Sequence, residues 1–193
     1  MPEKTGAGNR RAYHHGDLRH AVLTAALDVI ASEGPDAVSL RDLARRAGVS
    51  HAAPAHHFGD RTGLLTSIAT DGFEMLAGAL AEADGLRDAG VRYVRFATAH
   101  PAHFQVMFSP QLLRAQDLEL VTAKALATQR LQVALSEIPE AGRGSDEGLA
   151  RMAAWSLAHG FATLLLGHNL DDALAGRAPE DAFAELAGML FHS

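Results

Sequence analysis

The chain has 193 residues, 48% of them hydrophobic and 6% aromatic, which is enough to bury a core as one or two small domains and too apolar for a disordered tail. It contains no cysteine, which excludes disulfide staples and thiolate chemistry, leaves histidine and carboxylate as the strong metal ligands, and fits a reducing, cytoplasmic setting. The formal net charge of −6 hides an asymmetry: residues 1–61 carry eight Lys and Arg against seven acids, for +1, while the other 132 residues carry nine against sixteen, for −7. A basic contact face is therefore permitted at the N-terminal end. The first stretch, MPEKTGAGNRRAY, has no apolar signal core, and no run of about 18 uncharged apolar residues stands out, so secretion and a membrane partner are not expected.

Residues 1–12 read as a flexible arm. Over residues 17–33, Leu18, Val22, Ala25, Ala26, Val29 and Ile30 recur at the spacing of a half-buried helix, stopped by Gly34-Pro35. Ser39 with Asp42 three positions later has the form of a capping box and opens a second helix that turns Leu40, Leu43 and Ala44 inward. Ala47-Gly48 ends it, and Ser50 is the expected cap of a third helix beginning almost at once. Pro54 then falls as the fourth helical residue and forfeits one hydrogen bond, to the Ser50 carbonyl. Two short helices across a glycine-bearing turn, packed on a longer one, form a helix-turn-helix layout over residues 13–60.

Beyond Asp60, a further cap, the pattern is helical: residues 61–83, then 86–99, an interruption at Pro101 before HFQVMF, and a long helix within 111–137 ended by Pro139. AGRGSDEG (141–148) reads as a loop, followed by an almost wholly apolar helix at 149–170 and a last one at 179–191. No strand pattern, internal repeat or low-complexity tract occurs, so the fold class is all-α with a larger second domain over 61–193. One subunit cannot cover every face of the 149–170 helix, so it and the 179–191 helix are expected to build a four-helix homodimer interface.

The stretch AGVSHAAPAHHFGDR (47–61) admits a metal site, a plain surface or a DNA-reading helix. A zinc site needs three or four converging ligands, often at i, i+4; His51 and His56 are five apart and His57 points elsewhere, so no metal is expected. Pro101 separates His100 from His103, which favours capping or core roles there. Arg45 and Arg46 suit a solvated face as well as a DNA contact. With no nucleophile elbow, phosphate loop or motif-framed carboxylate pair, neither catalysis nor a cofactor is expected.

The segment YHHGDLRHAVLTAALDVIASEGPDAVSLRDLARRAGVSHAAPAHHFGDRTGLL (13–65) resembles the DNA-binding domain of TetR-type transcriptional regulators. YVRFATAHPAHFQVMF and AAWSLAHGFATLLL look like the effector-binding domain of a subgroup with a Trp-His-Gly signature, present as Trp155, His159 and Gly160. The resemblance implies a homodimeric repressor that places one recognition helix per subunit in the major groove of a palindromic double-stranded operator and is released by a small ligand. It implies a base-edge or phosphate contact for Arg41, base-edge contacts for His51, Ala52 and Ala53, and backbone contacts for Ser50, His56, His57 and Arg61, with Ser39 in the same DNA-contacting set. Ala55 stands where the family has a phosphate-binding tyrosine, and Arg61 where it has lysine. That departure leaves a second reading, a dimeric small-molecule-binding protein with weak or lost DNA binding.

In the larger domain Tyr93, Phe96, Phe104, Met107, Phe108, Trp155 and His159 are the candidate pocket, for a small, largely apolar effector. Trp155 and His159, four apart on one helix face, bring an indole donor and an imidazole together. Core packing, with His159 satisfied by a backbone carbonyl, is the competing reading.

Overall fold

The computed structural model describes residues 9–136 and 147–190, and among these it is helical with no strand. Helix α1 (Asn9–Glu33) begins eight residues before the expected start, so residues 9–12 of the anticipated arm are helical. Its buried face is Val22, Leu23, Ala26, Val29 and Ile30, and Gly34, with φ 84°, breaks it.

Helix α2 (Leu40–Arg46) buries Leu43 and Ala44 as expected, but the capping box does not form: the Ser39 side chain makes no cap bond. A capping box needs a Glu or Gln long enough to reach back. Asp42 is shorter and instead accepts from Arg45 at 2.6 Å and Arg46 at 2.5 Å, which hold its carboxyl below the usual range. The helix ends in a Schellman motif, with Gly48 at φ 67° and Val49 N–H donating to the Ala44 carbonyl at 2.9 Å.

The third helix, α3 (Ala53–Phe58), starts later than expected. Residues 51–52 form a turn in which Ala53 N–H donates to Ser50 O at 3.0 Å, so Ala52, not Ser50, is the N-cap. Pro54 therefore sits at the second helical position, where its missing N–H costs no intrahelical bond, and its ring is buried. Asp60 caps α4 (Arg61–Ala81) as expected, accepting from Gly63 N–H at 2.8 Å.

Helix α4 is the spine, with twelve residues buried against α5 (Gly85–Ala99), α6 (Pro101–Met107) and α7 (Leu118–Ser136). His100 joins α5 to α6, and Pro101 begins the second of them rather than merely breaking the first. A 3-10 turn at Pro110–Leu112 precedes α7, whose start is capped by the Asp117 carboxylate. Pro139 lies outside the described residues, as does most of the expected 141–148 loop; its last two residues already belong to α8 (Glu147–Leu166). That helix stops four residues short of the expected end, at a turn where His168 takes φ 57°. A short α9 (Asp171–Leu174) and α10 (Pro179–Leu190) complete the chain, α10 packing on α5 and α8.

Two helices, α4 and α8, are long and apolar enough by length and composition to cross a membrane, contrary to the expectation from sequence. The α4 window is 61% buried inside the protein, whereas that of α8 is only 17% buried. Leu149, Met152, Trp155 and Leu164 of α8 and Met189 of α10 remain exposed.

Two glycines of α4 provide a paired test of packing. A Cβ at Gly63 would overlap the Phe58 carbonyl oxygen, whereas one at Gly78 meets nothing within 4 Å. Gly63→Ala is expected to destabilise by roughly 1–3 kcal/mol, and Gly78→Ala to stabilise by roughly 0.5–1 kcal/mol, both read by denaturant unfolding.

Candidate nucleic-acid interface and effector cavity

Three arginines lie on α2, and their surroundings differ. Arg45 and Arg46 are committed to Asp42, with Glu33 also 3.5 Å from Arg46, so much of their charge is neutralised locally. Arg41 is exposed and makes no ion pair among the described residues.

Helix α3 turns Pro54 and Phe58 into the core, which fixes its opposite face outward. Ser39, Ser50, His51, Ala52, Ala55 and His56 are exposed, as is Arg41, and Ala53 and His57 are half-buried. Arg61 does not join them freely. Its guanidinium donates to the Pro35 carbonyl at 2.8 Å and to Asp36 at 3.1 Å, and its Nε is buried without a partner. It ties the start of α4 to the turn between α1 and α2, a role that the sequence offered no periodicity to reveal.

The larger half holds the same junction from the other side. Arg114 lies 2.9 Å from the Asp60 carboxylate, and its backbone N–H donates to Thr66 Oγ1 at 3.0 Å. Asp60 is held below the usual carboxylate range, first by the Gly63 N–H and then by Arg114.

A cavity of about 500 Å³ opens between α6, α8 and the C-terminal end of α1. Of the seven expected pocket residues it is lined by Phe104, Phe108 and His159; the others are Ala31, Pro101, Ala102, Gln105, Thr163, Leu166 and Gly167. Phe96 and Met107 belong to the core instead, Met107 so close that a Cβ at Gly72 would stand 2.6 Å from its Sδ. Tyr93 and Trp155 touch His159 without lining the cavity. The Tyr93 hydroxyl is 2.9 Å from His159 Nδ1, not a backbone carbonyl, and the Trp155 ring stacks on the imidazole at 5.3 Å and 27°. Phe108 and Phe104 approach the same imidazole at 4.4 and 5.3 Å. Apart from Leu166, the cavity residues missed in the sequence are small or polar, and they come from around three helices, so no single helical face announces them. Among the described residues no group of three or more His, Asp or Glu could hold a metal ion.

Two family models match the chain. Residues 22–68 match "Bacterial regulatory proteins, tetR family", and residues 86–190 match "Tetracyclin repressor-like, C-terminal domain". The chain belongs to the TetR family of bacterial transcriptional regulators, with a helix-turn-helix DNA-binding unit. A protein of unknown function from Rhodococcus sp. RHA1 shares 32% identity and superposes with a TM-score of 0.73 over 93% of this chain and 96% of that one. The fold is also that of AibR, solved in complex with isovaleryl coenzyme A and operator DNA (18% identity, TM-score 0.67, 90% and 98% covered). The HTH-type transcriptional repressor Rv3405c of Mycobacterium tuberculosis is 42% identical over 52 residues, which are 27% of this chain and 28% of that protein.

Burial pushes both His159 and His103 below the usual imidazole range, the latter helped by His100. The unfolded chain takes up protons at these positions near pH 6.5 and the folded chain only at lower pH. Stability is therefore complete above about pH 6.5 and falls on acidification. Thermal unfolding at pH 7.5 and 5.5 is expected to show that loss, and His159→Phe to make it smaller.

Proposed function

We propose that the chain is a ligand-responsive repressor that acts in the cytoplasm, binds a palindromic operator as a homodimer and releases it when a small molecule occupies the cavity. The observation that carries this reading is Ala31: the cavity in the larger half has one wall on α1, the helix on which α2 and α3 are packed. A molecule wedged between α6, α8 and α1 changes how the DNA-reading unit sits on the larger half, and hence the separation of two recognition helices in a dimer. Residues 13–60 supply the DNA contacts, and 61–193 supply the dimer surface and the effector site apart from its Ala31 wall, in the manner of the Trp-His-Gly subgroup. The uncovered apolar faces of α8 and α10 supply an isologous interface.

Arg41, Ser39, Ser50, His51, Ala52, Ala53, His56 and His57 form the contact set, in which Arg41 is an exposed cation with no ion pair among the described residues. Arg61 shapes the surface through the turn between α1 and α2. Footprinting on a fragment selected from genomic DNA is expected to show two symmetric half-sites roughly 34–36 Å apart, or a multiple of that. Arg41→Ala is expected to cost roughly 1–3 kcal/mol and to relax preference at one base pair per half-site. Retention of no fragment would favour the second reading, which Ala55, exposed on the reading face without the family's hydroxyl, supports.

A further inference from the structure

We propose that the cavity takes a flat, uncharged ligand carrying a hydrogen-bond acceptor, and that the acceptor docks on the Nε2–H of His159. The inference rests on the ligand-responsive reading and names the chemistry of its effector. Its first support is the lining, which contains no Lys, Arg, Asp or Glu. A carboxylate, phosphate or ammonium entering such a site gives up part of its hydration without meeting a counter-charge. This separates the cavity from one built for an acyl coenzyme A, the ligand of AibR, which carries several phosphate charges.

The direction of the hydrogen bonds at His159 supplies the donor. The Tyr93 hydroxyl lies 2.9 Å from His159 Nδ1, and a buried phenol that donates its proton there makes Nδ1 the acceptor. Burial keeps that phenol protonated by pushing its pKa up, and burial keeps the imidazole neutral. A neutral imidazole that accepts at Nδ1 carries its one N–H at Nε2. Tyr93 is not part of the cavity wall and His159 is, so the Nδ1 edge faces the core and the Nε2 edge is the one available to a ligand.

The walls give the shape. Phe104 and Phe108, with ring centroids 4.9 Å apart, form an aromatic side of the cavity on which a flat ring can pack. Thr163 adds a second polar point. Thr66, Thr70, Thr98, Thr122 and Thr128 each turn their hydroxyl onto the carbonyl four residues earlier, whereas the Thr163 hydroxyl makes no such bond and lines the cavity.

The test uses four naphthalenes of nearly equal size on the full chain, titrated calorimetrically: 2-acetylnaphthalene, 2-ethylnaphthalene, 2-naphthoate and 2-naphthylmethylammonium. The neutral ketone is expected to bind tightest, the ethyl compound about tenfold more weakly, the net effect of one hydrogen bond, and both ions at least tenfold more weakly than the ketone. His159→Phe is expected to abolish the ketone's advantage, so that the ketone and the ethyl compound bind with equal affinity. The comparison within the parent protein decides the matter even if that variant fails to fold. An ion binding as tightly as the ketone, or no binding by any of the four, overturns the proposal. Ketone binding that leaves an operator complex intact upholds the site and contradicts release by ligand instead.

Discussion

A helix of six residues cannot hold itself, because the cost of nucleating the first turn is not recovered by so few hydrogen bonds. The recognition helix α3 is such a helix, and it has no side-chain cap at its start. Its position is therefore imposed by its neighbours. Pro54 and Phe58 anchor it in the core, and Gly63 lets the first turn of α4 approach the Phe58 carbonyl. Arg61 fastens that turn to the Pro35 carbonyl, and Arg114 fastens it to the larger half through Asp60. The surface offered to DNA is in this sense a property of α1, α4 and the segment before α7.

The two halves meet at points with different physical character. At the α3–α4 junction the contact is electrostatic and exposed, a carboxylate shared between a backbone N–H and a guanidinium. Near Ala31 it is a cavity wall, where α6 and α8 stand off from α1. On the proposed reading, the first favours one placement of the reading helix and the second is where a ligand disturbs it. Neither contact involves α8's exposed apolar side, which leaves that surface available to a second subunit.

Much of the architecture was legible because it rests on local rules. Gly48 and Asp60 do what a C-terminal glycine and an N-terminal carboxylate do in any helix, and the spacing of Val22, Ala26, Val29 and Ile30 marks a buried stripe. The misreadings share a different cause. Ser39 holds the N-cap position of α2 but the capping box fails because Asp42 finds nearer partners, and after Ser50 the chain spends two more residues turning before Ala53. For Arg61 the fold brings Pro35 and Asp36, 26 and 25 positions away, to its guanidinium, partners that no local pattern announces. In the cavity, Phe104, Phe108 and His159 were recognisable by type. Ala31, Gln105 and Thr163 were not, since only the packing of α1, α6 and α8 gathers them.

The central claim is that the larger half holds the recognition helix in place, and amide hydrogen exchange at α3 measures it directly. The His56 and Gly59 N–H groups bond to the Ala52 and Ala55 carbonyls at 3.0 and 2.9 Å and report on that helix. Replacing Arg114 with alanine is expected to speed exchange at both amides while leaving the amides of Val29 and Ile30, deep in α1, unchanged. Unaltered exchange at His56 and Gly59 would contradict the account, since α3 would then be held without the larger half.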